Sequence, residues 1–483
     1  MPQPFVELNK PQMTVSPIRL PRWGLQISER RVILLVGDVL AAGRATARAL
    51  WLWSTTADDL GYQQYLQRNI SWFAVLIPLW LLLLYNSGLY ELQRAAAAAR
   101  MLPALLGSAG IALVLYLGVF FFAPRGLLPR LVFVYFIGGA FSIDLLWRLA
   151  YINILVRGLF RRRALVVGTG PLAHMIVAAL DEFSEQQYDI AGFVDDGPPA
   201  SAVGGLPVVG TAAGLWAAVQ QNDVAELILA VPGELPPLLF RELMRCQEKG
   251  IDIVRAQVLY EQISAQVPVR HLPPDWVMTS FVDAARLNNL ARMVRRVADV
   301  LGALLGLTLL ALLLPLLAPG IYLESGSPII FRQLRIGQGG RLFTIFKFRS
   351  MRVGAESDGA PRWAELRDPR VTRVGRFLRR TRLDEFPQFW NVLRGEMALV
   401  GPRPERPEFV AELEQKIPLY RLRLRVKPGL TGWAQINFGY GASVEDSEKK
   451  LQYDLYYIKQ RGPLLDLVIL FRTIGVMFGF RGR

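Results

Sequence analysis

The chain places four apolar runs in its first 150 residues: Val32–Trp53, Ile70–Tyr85, Met101–Phe122 and Leu127–Trp147. Each approaches the roughly 20 residues that carry an α-helix across a bilayer. No other feature constrains the fold as much, because helices this apolar must be surrounded by lipid or by one another. The first run is the weakest. It holds Asp38, Arg44 and Arg48, so an interfacial or buried helix is its alternative. The fourth carries Asp144. Five Lys/Arg residues precede the first run, Arg68 alone lies between the first and second, and Arg157, Arg161, Arg162 and Arg163 follow the fourth. Basic flanks stay on the cytoplasmic side, so four spans with both ends in the cytoplasm fit best. The first 30 residues are basic and Pro-rich with no small-residue cleavage pattern, and no removable signal peptide is expected.

Composition narrows the class of protein. Of 483 residues 52% are hydrophobic and 20% charged, with a net charge of +15, which excludes a disordered chain and suits a membrane protein with basic cytoplasmic surfaces. The one cysteine, Cys246, forbids an internal disulfide. With it, His174 and His271 complete a set too small and too scattered for a Cys/His zinc site or a Ser-His-Asp triad. Chemistry is left to carboxylates, basic side chains and a hard metal such as Mg²⁺.

Residues 161–270 alternate strand and helix patterns. Strands are expected at Arg163–Gly168, Ile190–Val194, Leu206–Val209, Glu226–Ala230 and Ile251–Val254, which reads as a parallel sheet of Rossmann type. The turn Gly168-Thr169-Gly170-Pro171-Leu172-Ala173 follows a GxGxxA pattern, and Asp189, Asp195 and Asp196 are the acids placed to hold a ribose. None matches the spacing cleanly, and a cofactor-free scaffold whose turn needs glycine is the favoured reading.

A fifth apolar stretch, Val297–Leu323, is interrupted only by Asp299 and contains Pro315. Its 27 residues would reach roughly 40 Å as a straight helix. Proline should kink or break it, and both flanks are basic, with Arg286, Arg292, Arg295 and Arg296 before it and Arg332, Arg335 and Arg341 after it. A re-entrant hairpin is expected, with a fifth crossing as the alternative.

The last 160 residues have a different texture. Six basic residues and no acid lie between Ser325 and Ala355, and six arginines and no acid between Arg370 and Leu383, before Asp384-Glu385 appears. Cations beside a carboxylate keep it ionised, and an ionised Asp can serve as a nucleophile. A second carboxylate can hold Mg²⁺ shared with substrate phosphates, and arginines can grip phosphate oxygens in pairs. A solvated salt-bridge cluster explains the same residues equally well on spacing alone. The segments Gly401-Pro402-Arg403-Pro404-Glu405-Arg406-Pro407 and Lys427–Gln435 are stiff, proline-set loops with polar tips.

Three motifs carry a resemblance. FKFRSM at Phe346–Met351, LDEFPQFWNVLRGEMALVGPRP at Leu383–Pro404 and KPGLTGWAQIN at Lys427–Asn437 resemble the bacterial sugar transferase family, the monotopic polyprenyl-phosphate glycosyl-1-phosphate transferases. The four apolar runs and the Rossmann-like unit before them resemble its long membrane-anchored branch, which primes exopolysaccharide, capsule or O-antigen synthesis. The resemblance implies that Asp384 is the nucleophile and Glu385 its Mg²⁺-associated partner. It implies further that Lys347, Arg349, Arg379 and Arg403 bind substrate phosphates and that Pro315 breaks the re-entrant helix. Two positions depart from the family pattern: Phe386 stands where leucine is usual, and Arg382 where a small hydroxyl residue is frequent. The implied reaction moves a hexose-1-phosphate from a UDP-sugar to undecaprenyl phosphate, releasing UMP through a sugar-phosphoryl-aspartate.

The expected fold is a mixed α and α/β membrane protein. A basic segment over residues 1–30 leads into four transmembrane helices over 31–156. A Rossmann-like domain follows over 161–270, then a re-entrant membrane helix region over 286–323. A small, mainly helical catalytic domain over 324–483 ends in an interfacial helix near Leu464–Phe480. The expected location is the bacterial inner membrane, multi-pass, with the catalytic domain cytoplasmic. The expected partners are a UDP-sugar, undecaprenyl phosphate and the bilayer, with no nucleic acid; a homodimer stays open. Glucose, galactose and N-acetylglucosamine donors all suit these motifs. Two rivals are a membrane-tethered NAD-dependent sugar-nucleotide enzyme and a non-enzymatic polysaccharide-assembly scaffold. The first finds no YxxxK pair in the Rossmann-like unit to supply its catalytic residues. The second must explain charge interleaved with FxF and LDE motifs in place of a plain basic tail.

Overall fold

A computed structural model of the chain describes residues 27–57, 71–90, 95, 98–122, 130–154, 162–184, 188–197, 204–272, 276–281, 289–352, 370–439 and 443–477. Most of the expected basic N-terminal segment and residues 478–480 lie outside this set.

The four apolar runs form helices α1 (Ile27–Ala57), α2 (Ser71–Asn86), α3 (Ala98–Phe122) and α4 (Arg130–Ala150), packed around one apolar core. Gly37, Ala41, Ala45 and Ala49 recur every fourth residue of α1, so their small side chains share one face. A Cβ on Gly37 would overlap the ring of Trp147, and one on Gly139 would stand 3.5 Å from Ala45 Cβ. Small residues let these helices approach closely. The charges that weakened the first run divide between two faces. Arg44 and Arg48 are exposed, whereas Asp38 is fully buried 2.6 Å from Arg148, which also donates to Leu89 O at 2.9 Å. Asp144 accepts from Trp80 Nε1. Buried charge in an apolar bundle is tolerated when it is paired in this way.

The sheet that follows is five-stranded and parallel, in the order β3-β2-β1-β4-β5. Its strands are β1 (Arg162–Val167), β2 (Tyr188–Val194), β3 (Val208–Gly210), β4 (Glu226–Leu229) and β5 (Asp252–Arg255), each within a few residues of its expected place. Helices α5 (Pro171–Ser184), α6 (Leu215–Gln221), α7 (Pro237–Glu248) and α8 (Ala256–Ser264) cover its two faces. The chain then straps onto the last domain: Val267 N donates to Gln452 O at 3.0 Å, Trp433 Nε1 to Ala265 O at 3.1 Å, and Arg270 makes two bonds of 2.7 and 2.6 Å to Glu448.

Helix α9 (Asn289–Ser325) runs unbroken through both Pro315 and Pro319. Helical structure thus continues past Pro315, the position at which the break is expected. A proline removes one backbone hydrogen bond and can bend a helix without ending it. Among the described residues two helical stretches are long and apolar enough to cross a membrane, Val132–Ile154 and Arg292–Ser325; Ala74–Asn86 and Met101–Leu117 are shorter. Both ends of α9 bond to the same domain. Asp299 Oδ1 accepts from Leu399 N at 2.8 Å, and Glu324 Oε2 accepts from Val374 N at 2.8 Å. Between those ends Leu312 and Leu316 are 72% and 76% exposed.

The last domain is small and mainly helical. An antiparallel hairpin, β6 (Ile330–Ile336) and β7 (Leu342–Phe348), precedes α10 (Arg373–Arg380) and α11 (Phe389–Arg394). Two short parallel strands, β8 (Ala398–Val400) and β9 (Gly429–Thr431), then bring distant loops together, and α12 (Val444–Gln460) and α13 (Pro463–Met477) close the domain.

Candidate active site

Three motifs far apart in sequence meet around Asp384 and Glu385. Helix α10 starts at Thr372, whose hydroxyl accepts from Gly375 N at 2.9 Å. Any Cβ at Gly375 would strike Ser350 O, so glycine there lets α10 lie directly against the residues after β7. The chain leaves α10 through Arg382, in the left-handed region at φ 59°, and enters a tight helical turn over Leu383–Gln388. That turn presents both carboxylates to β7 and buries each to 8% exposure. Asn391 fixes the register. Its Oδ1 accepts from Phe346 N at 3.3 Å and its Nδ2 donates to Thr344 O at 2.7 Å, on either side of Ile345 and immediately before Lys347. Lys347 is thereby aimed at the turn.

The third motif arrives through β8 and β9. Gly401 N donates to Thr431 O at 2.9 Å and Gly429 N to Pro402 O at 2.9 Å. The two glycines lie so close that a Cβ on either would overlap the other's backbone. This contact joins the GPRP loop to the KPGLTG loop and swings Arg403 over the turn.

Glu385 Oε1 is the focus of positive charge. It accepts from Arg403 Nη2 at 2.5 Å and lies 3.7 Å from Lys347 Nζ and 3.8 Å from Arg382 Nη1. Burial raises its pKa, but Arg403, Lys347 and Arg382 outweigh that and hold it far below the usual carboxylate range. Asp384 goes the other way. Burial, then the charge on Glu385, push it up to about 6 against Lys347, Arg379 and Arg403. Its Oδ1 is buried without a hydrogen-bond partner among the described residues. Burial, with Arg403 beside it, lowers Lys347 to about 8. Two adjacent carboxyls in one turn thus have opposite characters: one a permanently ionised anchor for cations, the other an unengaged, more basic group.

Of the other expected residues, Arg379 stands near enough to Asp384 for its charge to lower that carboxyl's pKa, whereas no contact among the described residues joins Arg349 to either carboxylate. Arg379 Nε donates to Ser350 Oγ at 2.9 Å, and Arg349 Nη1 to Ser327 O at 3.2 Å. Pro315 is on α9, which touches the site's floor through Leu317 and Ile321 packed with Phe348 and Leu378. Sequence reasoning named Arg382 only as a departure; its place three residues before Glu385 was the available signal. Asn391 went unnoticed, because a buried asparagine that bonds backbone leaves no spacing pattern.

Comparison with known proteins decides the family. The model of the bacterial sugar transferase family matches residues 290–480, and that of a CoA-binding domain matches residues 86–256. The UDP-galactose-lipid carrier transferase of Erwinia amylovora is 33% identical over 342 residues, 66% of this chain and 69% of that protein. The chain belongs to the bacterial sugar transferase family. Among other members, an Aeromonas hydrophila UDP-N-acetylgalactosamine-undecaprenyl-phosphate N-acetylgalactosaminephosphotransferase is 39% identical over 244 residues, 50% of this chain and 56% of that protein. The UDP-glucose:undecaprenyl-phosphate glucose-1-phosphate transferase of Escherichia coli K12 is 45% identical over 190 residues, 39% of this chain and 41% of that protein. The chain thus spans about half the length of these two curated relatives.

Within this family member, a Mg²⁺ ion would have to share its ligands with substrate. No group of three or more His, Cys, Asp or Glu side chains among the described residues could hold a metal. Two carboxylates do stand together, and Asp384 Oδ1 is an unengaged oxygen. One or two carboxylates completed by phosphate oxygens and water is the usual Mg²⁺ set, so the residues fit a shared site. In the Rossmann-like unit the candidate ribose acids are all engaged internally. Asp195 accepts from Thr169 Oγ1 and from Gly197 N at 2.9 Å, Asp196 from Ala212 N at 2.7 Å, and Asp189 lies 3.8 Å from Arg163.

Proposed function

We propose that the chain transfers a sugar-1-phosphate from a UDP-sugar to undecaprenyl phosphate, releasing UMP and leaving a lipid-linked diphosphate sugar. The observation that carries this is the Asp384-Glu385 turn, buried, faced by Lys347 and Arg403, and packed beside an apolar helix. An Asp384 oxygen attacks the β-phosphorus of the donor; the bond to the bridging oxygen breaks and UMP departs. The sugar-phosphoryl group on Asp384 is then attacked by a phosphate oxygen of undecaprenyl phosphate, which frees the carboxylate again. Glu385 holds Arg403 and Lys347 with their donors converging on the transferring phosphoryl group, while Arg379 and Arg349 meet phosphate oxygens. When bound, Mg²⁺ would offset charge on the donor's phosphates, with Glu385 as the carboxylate that holds it beside the substrate. Activity should therefore vanish in excess EDTA and return with Mg²⁺, and full UMP release under chelation would remove Glu385 from that role.

The relatives' names specify different sugars, so the donor is to be found by experiment. UDP-glucose, UDP-galactose and their N-acetylated counterparts, each incubated with undecaprenyl phosphate and the full chain, should give UMP release with one donor strongly preferred. No release with any of them would overturn the assignment. The product would prime an exopolysaccharide, capsule or O-antigen chain.

The membrane arrangement belongs to the same proposal: α1–α4 cross the inner membrane, and the catalytic domain faces the cytoplasm, where UDP-sugars are. α9 enters and leaves on that one face. Support comes from Asp299 and Glu324, which tie its two ends to one folded domain, whereas a spanning helix would separate them by roughly 30 Å of hydrocarbon. Single cysteines at Ala291 and Arg341, in a background lacking Cys246, should both resist an impermeant thiol reagent applied outside intact cells. Labelling of Arg341→Cys alone would mean a fifth crossing.

A further inference from the structure

The GPRP loop presents a problem that its own backbone cannot solve. Pro402 and Pro404 have no N–H to give, yet the carbonyls of residues 402–405 all need donors in a largely buried setting. Each finds one. Pro402 O accepts from Gly429 N at 2.9 Å and Glu405 O from Ile336 N at 3.0 Å. The two carbonyls between them are met by arginine side chains: Arg423 Nη2 donates to Arg403 O at 3.0 Å, and Arg335 Nη1 to Pro404 O at 3.0 Å.

Arg423 is the more deeply set of the pair. It is 6% exposed, its Nη1 donates to Tyr420 OH at 2.6 Å, and Asp454 Oδ2, on α12 and almost wholly buried, lies 2.9 Å from its Nη2. A guanidinium fixed on two sides in this way has one orientation left, and that orientation ends on the Arg403 carbonyl. The Arg403 side chain, by contrast, is 37% exposed, so burial does not hold it. What aims it at Glu385, 2.5 Å away, is the position of its own backbone.

We infer that Arg423, seated by Asp454 and Tyr420, is a positioning residue for the transfer reaction: it acts through the Arg403 carbonyl and touches no substrate. The inference rests on the proposed transferase activity, so UMP release by the unaltered chain comes first, and its absence would end that proposal separately. Given activity, Arg423→Gln should lower kcat by about tenfold to a hundredfold, as a displaced active-site group does, with little change in KM for the donor. The deciding measurement is a double-mutant cycle with Arg403→Ala. If Arg423 works through Arg403, adding Arg423→Gln to Arg403→Ala should cost less than about threefold more. Multiplying losses, or a rise in KM without loss of kcat, would overturn the inference. Should Arg423→Gln fail to fold, Tyr420→Phe and Asp454→Asn, which preserve shape, enter the same cycle. Each should slow the unaltered background and be nearly silent beside Arg403→Ala, and equal losses in both backgrounds would refute the role.

Discussion

Asp384→Asn should abolish turnover, lowering UMP release by about a thousandfold or more while the protein stays folded and membrane-bound. The substitution keeps the shape of a side chain that is 8% exposed. It removes the attacking charge and leaves an amide, which is not a nucleophile towards phosphorus. The site's cations do not lose their anchor, because Arg403, Lys347 and Arg382 gather on Glu385. Folding should therefore survive, and a lost rate reports chemistry. A second readout separates a nucleophile from a residue that merely orients. Given UDP-sugar without acceptor lipid, the unaltered chain should release a single burst of UMP equal to the enzyme present and carry the sugar-phosphate mass on Asp384. Turnover within about tenfold of normal in Asp384→Asn would exclude the covalent path.

Those parts of the molecule that local physics determines were legible in the sequence. Apolar runs announced α1–α4, and buried strand patterns placed β1, β2, β4 and β5 within a few residues, because hydrophobic periodicity is a local signal. Two acids after six arginines drew the eye to Asp384 and Glu385, but a surface salt-bridge cluster fits that spacing equally well, and it was the family resemblance of the LDEFPQ stretch that gave them roles. Relations set by tertiary contact were not visible. Nothing near Asp38 reveals that its partner is Arg148, 110 residues away. Nothing in the run Tyr420–Arg425 singles out Arg423 from Arg421 and Arg425, and only the fold shows it bonded to the GPRP loop. The opposite characters of Asp384 and Glu385 were equally hidden, since adjacent carboxyls in a sequence are equivalent until Arg403 and Lys347 select one of them. Pro315 was legible as a proline inside an apolar run, but the sequence did not show that the helix continues through it, because a proline that removes one hydrogen bond can bend a helix without ending it.

Glu385→Gln should be the second most damaging change, and its pH dependence tests the electrostatics of the site. In the unaltered protein kcat/KM should rise as pH climbs through about 6, where Asp384 loses its proton, and fall above about 8, where Lys347 loses its charge. These limbs belong to the cluster as a whole, since its members titrate together. Neutralising Glu385 removes a charge that raises Asp384 and leaves Lys347, Arg379 and Arg403, all of which lower it. Lys347 loses a neighbour that favours its protonated form. Both limbs of the profile should therefore shift to lower pH. The plateau should drop by about a hundredfold, because the carboxylate that Arg403 Nη2 meets at 2.5 Å is replaced by a neutral amide oxygen. Breaking a fully buried pair costs about 3–5 kcal/mol, and here the cost should be nearer 1–3, since Arg403 is 37% exposed. The variant would thus combine a more completely ionised nucleophile with a slower reaction, a pairing that simple loss of fold cannot produce. An acid limb that stayed at about 6, or moved upward, would mean that the titrating group is not Asp384 beside Glu385.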